Sequence, residues 1–238
     1  MDNAIYSTLT RQSGLMQEMR SVANNIANIS TAGFRREGVI FSEYVAGLEG
    51  AEPSLSMAYA HGREVDLSQG SLTQTGGSFD FAIEGDGFFQ IETPQGVQLT
   101  RAGSFTPNEM GELVTPDGYR LLDNGGSPVF VPTTGGPTMV APDGTLSVGG
   151  APVAQIGVVE PIDRNELTHQ GGTMFSVKSG VQEAQEYRLL QGFVEESNVD
   201  PVSEIARMIE VQRAYEMGQS FLEREDQRVR GVISTLGR

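Results

Sequence analysis

Three asparagines stand within five positions of the run VANNIANISTAGFRRE, Val22 to Glu37: Asn24, Asn25 and Asn28. A side-chain amide both donates and accepts hydrogen bonds without carrying charge. Such residues suit contact with peptide groups or with another chain, at a cost of roughly 0.5 kcal/mol each in a helix interior. They also suit the fraying end of a helix, which is the plainer reading. Other chemistry-bearing types are scarce. The chain has two histidines, His61 and His169, and no cysteine, which excludes disulfides and thiolate metal sites. No G-x-S-x-G elbow, Walker loop or H-E-x-x-H pair occurs. Glu84-Gly85-Asp86-Gly87 falls short of the ligand count of a calcium loop and reads as a turn. Asp117-Gly118 and Asp143-Gly144 read as hairpin turns, and Asp80, between Phe79 and Phe81, is expected to point off the core face. No catalytic, cofactor or metal site is expected.

Charge narrows the partners. The net charge is -15, and a phosphate backbone requires lysine and arginine for counterion release, so nucleic acid is not an expected partner. The acidity is central: residues 37–195 hold 21 acids and 6 bases, whereas residues 1–36 are +2 and residues 196–238 are -2. No apolar run approaches the length of a membrane span. The first residues show no basic head, apolar stretch and cleavage site, so export by a cleaved secretory signal is not expected.

Proline and glycine divide the chain into the elements that position these residues. All 11 prolines lie between Pro53 and Pro201, so both ends can be long helices and the middle cannot. In the N-terminal helix Ile5, Leu9, Gln12, Met16, Met19, Ala23 and Ile26 alternate spacings of four and three, a heptad seam. Leu15, Val22 and Ile29 widen it, and Gly33 fits the left-handed residue that stops a helix. The C-terminal helix is expected to start at Asp200-Pro201, an N-cap followed by proline in the first turn. Met208, Tyr215, Leu222, Val229 and Leu236 recur in it every seven residues, flanked by Ile205, Val211, Phe221, Val232 and Ile233. In the middle, Phe79, Phe81 and Ile83 alternate with Asp80 and Ala82. Similar short runs follow (GFFQIE, GVQLTRA, GELVT, YRLL, PVFVP, TLSV, AQIGVVE, MFSV, YRLLQGFVE), separated by strong turns. The expected architecture is α+β. Residues 1–36 and 196–238 are helical segments that pair as a coiled coil, 37–65 a linker or extended arm, and 66–195 an antiparallel all-β domain, either a barrel or a folded sheet.

One helical seam does not offset the entropy of ordering the helix that carries it. The surface of the N-terminal helix points the same way. Residues 1–30 carry only four charged side chains, Asp2, Arg11, Glu18 and Arg20, well below an average surface. The stripe farthest from the seam, Ser7, Gly14, Ser21 and Asn28, is small or uncharged. A helix enclosed by other subunits is expected to look like this.

VANNIANISTAGFRRE resembles the N-terminal signature of the bacterial flagellar rod and hook proteins. The long block from Gly70 to Leu122 is similar to that family's middle region, and QGFVEESNVDPVSEIARMIEVQRAYE to its C-terminal signature. The matches are collinear and span nearly the whole chain. Within the family, the opening MDNAIYSTLTRQSGL and the modest length are most like the proximal-rod members, with the distal-rod members next. The resemblance implies a structural subunit that passes unfolded through the flagellar type III export apparatus and polymerises into the drive shaft crossing the periplasm. Its terminal helices would form an inner tube and its β domain an outer layer. Its partners would be copies of itself and other rod proteins, with no small-molecule substrate and no membrane insertion. The assembly interface would then fall on Ile5, Leu9, Met16, Met19, Ala23, Asn24, Asn25, Ile26, Asn28, Gly33 and Phe34, and on Met208, Val211, Tyr215, Leu222, Val229, Val232 and Leu236. An enzyme would need chemistry these residues do not offer. A secreted adhesin with a helical stalk would need a signal peptide and a longer, repeated stalk.

Overall fold

A computed structural model describes residues 2–46, 55–132 and 136–236, with side chains for 7–40, 62, 64–132 and 136–235. The chain divides into two units. One comprises Met1–Ala27, Glu37–Glu64 and Asp200–Arg238, the other Asn28–Arg36 and Val65–Val199.

The second unit is built on the strand Phe88–Thr93. Gly96–Thr100 pairs along one edge of it, antiparallel. The other edge is shared, with Phe88 and Phe89 opposite Val159 and Val158, and Ile91 and Glu92 opposite Leu121 and Arg120. Because side chains alternate across a strand, Phe89 and Ile91 enter one core with Phe81, Ile83, Leu113, Leu121, Leu146 and Ile156. Phe88 enters another with Leu99, Val159, Leu167 and Phe175. Nine strands share this sheet, which ends at Thr168–Gly171 on one side and Thr106–Pro107 on the other. Beside it lie a three-stranded sheet (Thr138–Val140, Thr145–Val148, Ala151–Gln155) and two ladders, Tyr187–Gln191 on Phe81–Gly85 and Phe193–Glu195 on Leu72–Gln74.

The turns follow from their glycines. Gly118 and Gly144 take positive φ of 87° and close the hairpins Leu113–Leu121 and Thr138–Val148. Gly85 and Gly87, also at positive φ, bend the chain between Phe81–Gly85 and Phe88–Thr93. Asp80 lies off the core face and accepts from the hydroxyls of Thr75 (2.6 Å) and Ser104 (2.8 Å). The run PVFVP buries Val129 and Val131 but makes only isolated bridges, since Pro128 and Pro132 lack the N–H of a ladder.

A buried ion cluster ties the start of this unit to its end. Arg35 Nη1 meets Glu195 Oε1 at 2.7 Å, and Arg101 Nη1 meets Glu195 Oε2 at 3.1 Å, with all three side chains almost wholly buried. Arg35 Nη1 also donates to Ser68 O (2.6 Å), Arg101 Nη2 to Gly85 O (2.7 Å), and the Gly70 N–H to Glu195 Oε1 (2.8 Å). Burial lowers the Arg101 pKa to about 10, against the opposing pull of Glu195. Gly33 donates its N–H to Glu195 O at 2.7 Å. Its φ is +75°, and a Cβ there would lie 2.2 Å from the Ala102 nitrogen, so the position requires glycine. Helix α1 has already ended, at Ala27. Gly33 therefore serves this close approach rather than stopping the helix.

The first unit holds α1 (Asp2–Ala27), α2 (Pro201–Leu236) and the paired strands Glu37–Ala46 and Leu55–Val65, which occupy the segment read as a linker or extended arm. Helix α2 starts where its cap demands: Asp200 accepts from the Val202 N–H (3.0 Å) and the Ser203 hydroxyl (2.9 Å). The helices run antiparallel, with Asn25 meeting Glu204, Glu18 meeting Arg207 and Gln12 meeting Tyr215.

The expected coiled coil and barrel are corrected. No closed barrel exists among the described residues: the large sheet is open, branches at Phe88–Thr93, and ends on one side on the two-residue strand Thr106–Pro107. Nor do the helices pack through the heptad. Leu9 (49% exposed) and Met16 (36%) face out, and the buried residues of α1 are Gly14, Leu15, Glu18, Ser21, Val22 and Asn25. The face that packs within the chain also serves the strand Glu37–Ala46, and it needs hydrogen-bonding groups there rather than an apolar seam.

Candidate functional site

The inner face of the helix pair explains the central asparagine. Asn25 is fully buried. Its amide donates to the Glu37 carbonyl (2.8 Å) and to Glu204 Oε2 (3.1 Å), while its oxygen accepts the Glu37 N–H at 2.9 Å. The Ser21 hydroxyl donates to the same carbonyl at 3.0 Å. One uncharged side chain thus satisfies both peptide groups of Glu37, where a buried unpaired N–H or C=O costs about 1–3 kcal/mol. Farther along, Arg207 Nε donates to Glu18 Oε1 at 2.6 Å and Gln12 Nε2 to the Tyr215 carbonyl at 3.0 Å. Gly218 leaves room for Gln12: a Cβ there would lie 2.5 Å from its amide nitrogen.

The outer face carries exposed apolar side chains among charged ones such as Arg20, Glu210, Arg213 and Glu216. On α1, Leu9, Met16 and Ala23 lie on the side turned away from α2. On α2, Val202, Ile205 (51% exposed) and Ile209 form a stripe opposite the buried Glu204 and Val211. Toward the end of α2, Val229, Val232 and Ile233 are exposed as well. Between the helices runs a groove of about 290 Å³ lined by Thr8, Arg11, Gln12, Leu15, Ala214, Met217, Gly218 and Phe221. Scattered exposed apolar residues are ordinary, but contiguous stripes mark contact surfaces.

The expected interface residues therefore separate into groups. Leu9, Met16, Ala23, Val229 and Val232 are exposed. Met19, Asn24, Ile26, Asn28, Met208, Tyr215 and Leu222 are half-buried, and Asn25 and Val211 are buried within the chain. Gly33 and Phe34 belong to the core of the β unit, where Phe34 packs edge-on against His169 at 5.7 Å. The side chains of Ile5 and Leu236 lie outside the described residues. Sequence reading did not single out the exposed stripe Val202–Ile205–Ile209. Its spacing of three and four was available, but only Ile205 was noticed, as a flank of the heptad. The Arg35–Arg101–Glu195 cluster was missed too. Its signal was a charge beside apolar residues in each of GFRRE, LTRAG and GFVEE.

No group of three or more acidic or histidine side chains among the described residues is placed to hold a metal ion, and no described helix is long and apolar enough to cross a membrane. What this surface can do is pack against other helices.

Residues 82–148 match the family model described as the flagellar hook protein FlgE/F/G D1 domain, and residues 190–234 match the flagellar basal body rod FlgEFG protein C-terminal model. Over its whole length the chain is 37% identical to the flagellar basal-body rod protein FlgF of Caulobacter vibrioides, covering 99% of that relative. It is 36% identical to the FlgF of Mesorhizobium japonicum, again over the whole chain and 99% of the relative. The flagellar basal-body rod protein FlgG of Bacillus subtilis is 29% identical over 98% of this chain and 99% of its own.

Proposed function

The chain belongs to the flagellar basal-body rod proteins, most like FlgF, and we propose that its helix pair is the surface through which it joins copies of itself and other rod proteins. It is a structural subunit of the basal body and not an enzyme. The observation that carries the proposal is the inversion of α1, which buries Asn25, Ser21 and Glu18 within the chain and leaves Leu9, Met16 and Ala23 outside.

In this reading the helices within residues 1–36 and 196–238, α1 and α2, supply the inner layer of a rod that crosses the periplasm, while Asn28–Arg36 folds with the β unit. Residues 66–195 supply the outer layer, and 37–65 is an arm between them. The subunit leaves the cytoplasm through the flagellar type III export apparatus and takes a place in the proximal rod. The full-length similarity to FlgF proteins supports this more strongly than a distal-rod position, for which the FlgG matches speak. The absence of cysteine is compatible with passage through an oxidising compartment.

The test is Met16→Asp. The residue is partly exposed in the single chain, so the variant should fold and be exported. Enclosure of the new carboxylate by a neighbouring helix would cost several kcal/mol, so it should be missing from purified basal bodies. Normal incorporation of Met16→Asp would refute the proposal.

A further inference from the structure

Four pairs in the chain join an aspartate or asparagine to a glycine: Asp86-Gly87, Asp117-Gly118, Asn124-Gly125 and Asp143-Gly144. In such a pair the glycine nitrogen can reach the preceding side-chain carbon, because no Cβ obstructs the approach. The attack needs an electrophilic carbon and a leaving group. Three of the pairs offer a carboxylate, whose charge repels a nucleophile. Two of those carboxylates are also held elsewhere, Asp86 by Arg164 at 2.6 Å and Asp143 by the Thr145 N–H at 3.0 Å. Asn124 offers a neutral amide, and no other asparagine in the chain precedes a glycine.

The fold presents this pair to water. Asn124, Gly125 and Gly126 are exposed at the tip of a turn. The turn's backbone is pinned: the Asp123 N–H donates to Ser127 O at 2.8 Å, and the Gly125 and Ser127 N–H groups donate to Asp123 Oδ1, each at 2.8 Å. The Asn124 side chain is held far less. Its amide nitrogen donates to Glu183 Oε1 at 3.3 Å, beyond the usual range and in solvent. Asn108 shows the contrast. Its oxygen accepts the Met110 and Glu112 N–H groups at 2.9 Å, and its nitrogen donates to Glu112 Oε2 at 2.9 Å, which fixes its rotamer.

We propose that Asn124 is a site of spontaneous covalent modification, converted to aspartate and isoaspartate with release of ammonia. The Gly125 nitrogen bonds to Asn124 Cγ, the Cγ–Nδ2 bond breaks, and Nδ2 leaves as ammonia with the proton that the Gly125 nitrogen gives up. Water then opens the succinimide. Attack at Cγ restores the ordinary backbone and leaves aspartate. Attack at the Asn124 main-chain carbonyl carbon leaves isoaspartate, whose backbone runs through Cγ. In sum an amide and water give a carboxylic acid and ammonia, with no oxidant and no enzyme.

The surroundings register the change. Either product sets a new carboxylate between Asp123 and Glu183, where like charges repel. Isoaspartate also lengthens a backbone that has no slack. The Asn124 N–H donates to Gln155 O at 3.3 Å, and a Cβ on Gly157 would lie 3.1 Å from the Asn124 nitrogen. The modified turn therefore loosens the bridge between Asp123 and Ile156.

The test is peptide mass spectrometry of the purified full-length chain, kept in neutral buffer made with heavy-oxygen water, beside the same chain unfolded in urea. When half of Asn124 has reacted in the unfolded chain, the folded chain should show comparable conversion at Asn124. Each product should carry one heavy oxygen, aspartate and isoaspartate should both be present, and Asn108 and Asn165 should be unchanged. Gly125→Ala should lose the conversion over the same period. An unchanged Asn124 in the folded chain overturns the proposal, because the turn would then protect it. Aspartate without isoaspartate overturns it too, since direct hydrolysis bypasses the succinimide. So does equal conversion at Asn108 and Asn165, or undiminished conversion in Gly125→Ala.

Discussion

The β unit and the helix pair handle polarity in opposite ways. The β unit buries Phe81, Phe89, Ile91, Leu113, Leu121 and Ile156 in its own core and encloses the ionic cluster Arg35–Glu195–Arg101. The helix pair buries Asn25, Ser21, Glu18 and Glu204 beside only a few apolar side chains, Leu15, Val22 and Val211, and leaves its longer apolar stripes outside. Burial of apolar area is the main favourable term in folding. The β unit therefore draws its stability from itself, and the helix pair must draw part of its stability from neighbours.

The strongest way to break the β half is through its ionic cluster. Glu195→Gln leaves Arg35 and Arg101 as two buried cations with no anion between them. The expected loss is about 3–5 kcal/mol, the cost of removing one partner of a buried ion pair, read from the urea midpoint of the purified chain. Arg101→Met removes one cation and leaves Arg35 and Glu195 balanced, so it should cost clearly less. Equal losses from both would mean that packing, not charge balance, holds the cluster.

The next largest effect sharpens the helix half. Asn25→Ala removes the Asn25 oxygen that accepts the Glu37 N–H and leaves the Ser21 hydroxyl on the Glu37 carbonyl, and it should cost about 1–3 kcal/mol, seen as faster hydrogen exchange at Glu37 and in α1. Asn24→Ala, on a half-buried neighbour, should cost less. If the two are equal, the Asn25 clamp is not formed as described.

A smaller effect separates the outer face from the inner one. Ile209→Ser should leave the melting of the dilute chain unchanged, because the side chain is already exposed, yet should weaken incorporation into basal bodies. A fall in monomer stability as large as that from Asn25→Ala would erase the distinction between the faces.

The smallest concerns the α2 cap. Hydrogen bonds from Ser203 and the Val202 N–H hold the Asp200 carboxyl below the usual carboxylate range. A lowered folded pKa adds stability above the unfolded value, and that stability is lost as pH falls through the folded one. The first turn of α2 should therefore fray on acidification below the carboxylate range, measured by amide exchange at Val202 and Ser203. Asp200→Ala should already be frayed at neutral pH and lose this dependence.

Much of the β unit was legible because its signals are local. Glycines after aspartate marked the turns at Gly118 and Gly144, and alternation marked Phe79–Ile83. Asp200-Pro201 marked the start of α2 for the same reason. The inward face of α1 was not legible. Periodicity identifies an apolar stripe but not whether that stripe meets its own chain or another, and here Leu9, Met16 and Ala23 turn outward. The true inner face holds Leu15, Glu18 and Val22 beside Gly14, Ser21 and Asn25, and Ser21 and Asn25 meet the peptide groups of Glu37. The period of Gly14 and Ser21 was visible in the sequence, but it does not say which partner that stripe meets. PVFVP looked like a strand by composition, but its flanking prolines made it a buried segment without a ladder.

Residue-resolved hydrogen exchange on the dilute full-length chain, shown to be monomeric, bears most directly on the contrast between the two halves. Strong protection should be confined to strands within 65–199. Amides of α1 and α2 should exchange far faster, and gain protection only when the chain is incorporated into basal bodies. Helices as protected as the β core in the monomer would contradict a helix pair completed by its neighbours.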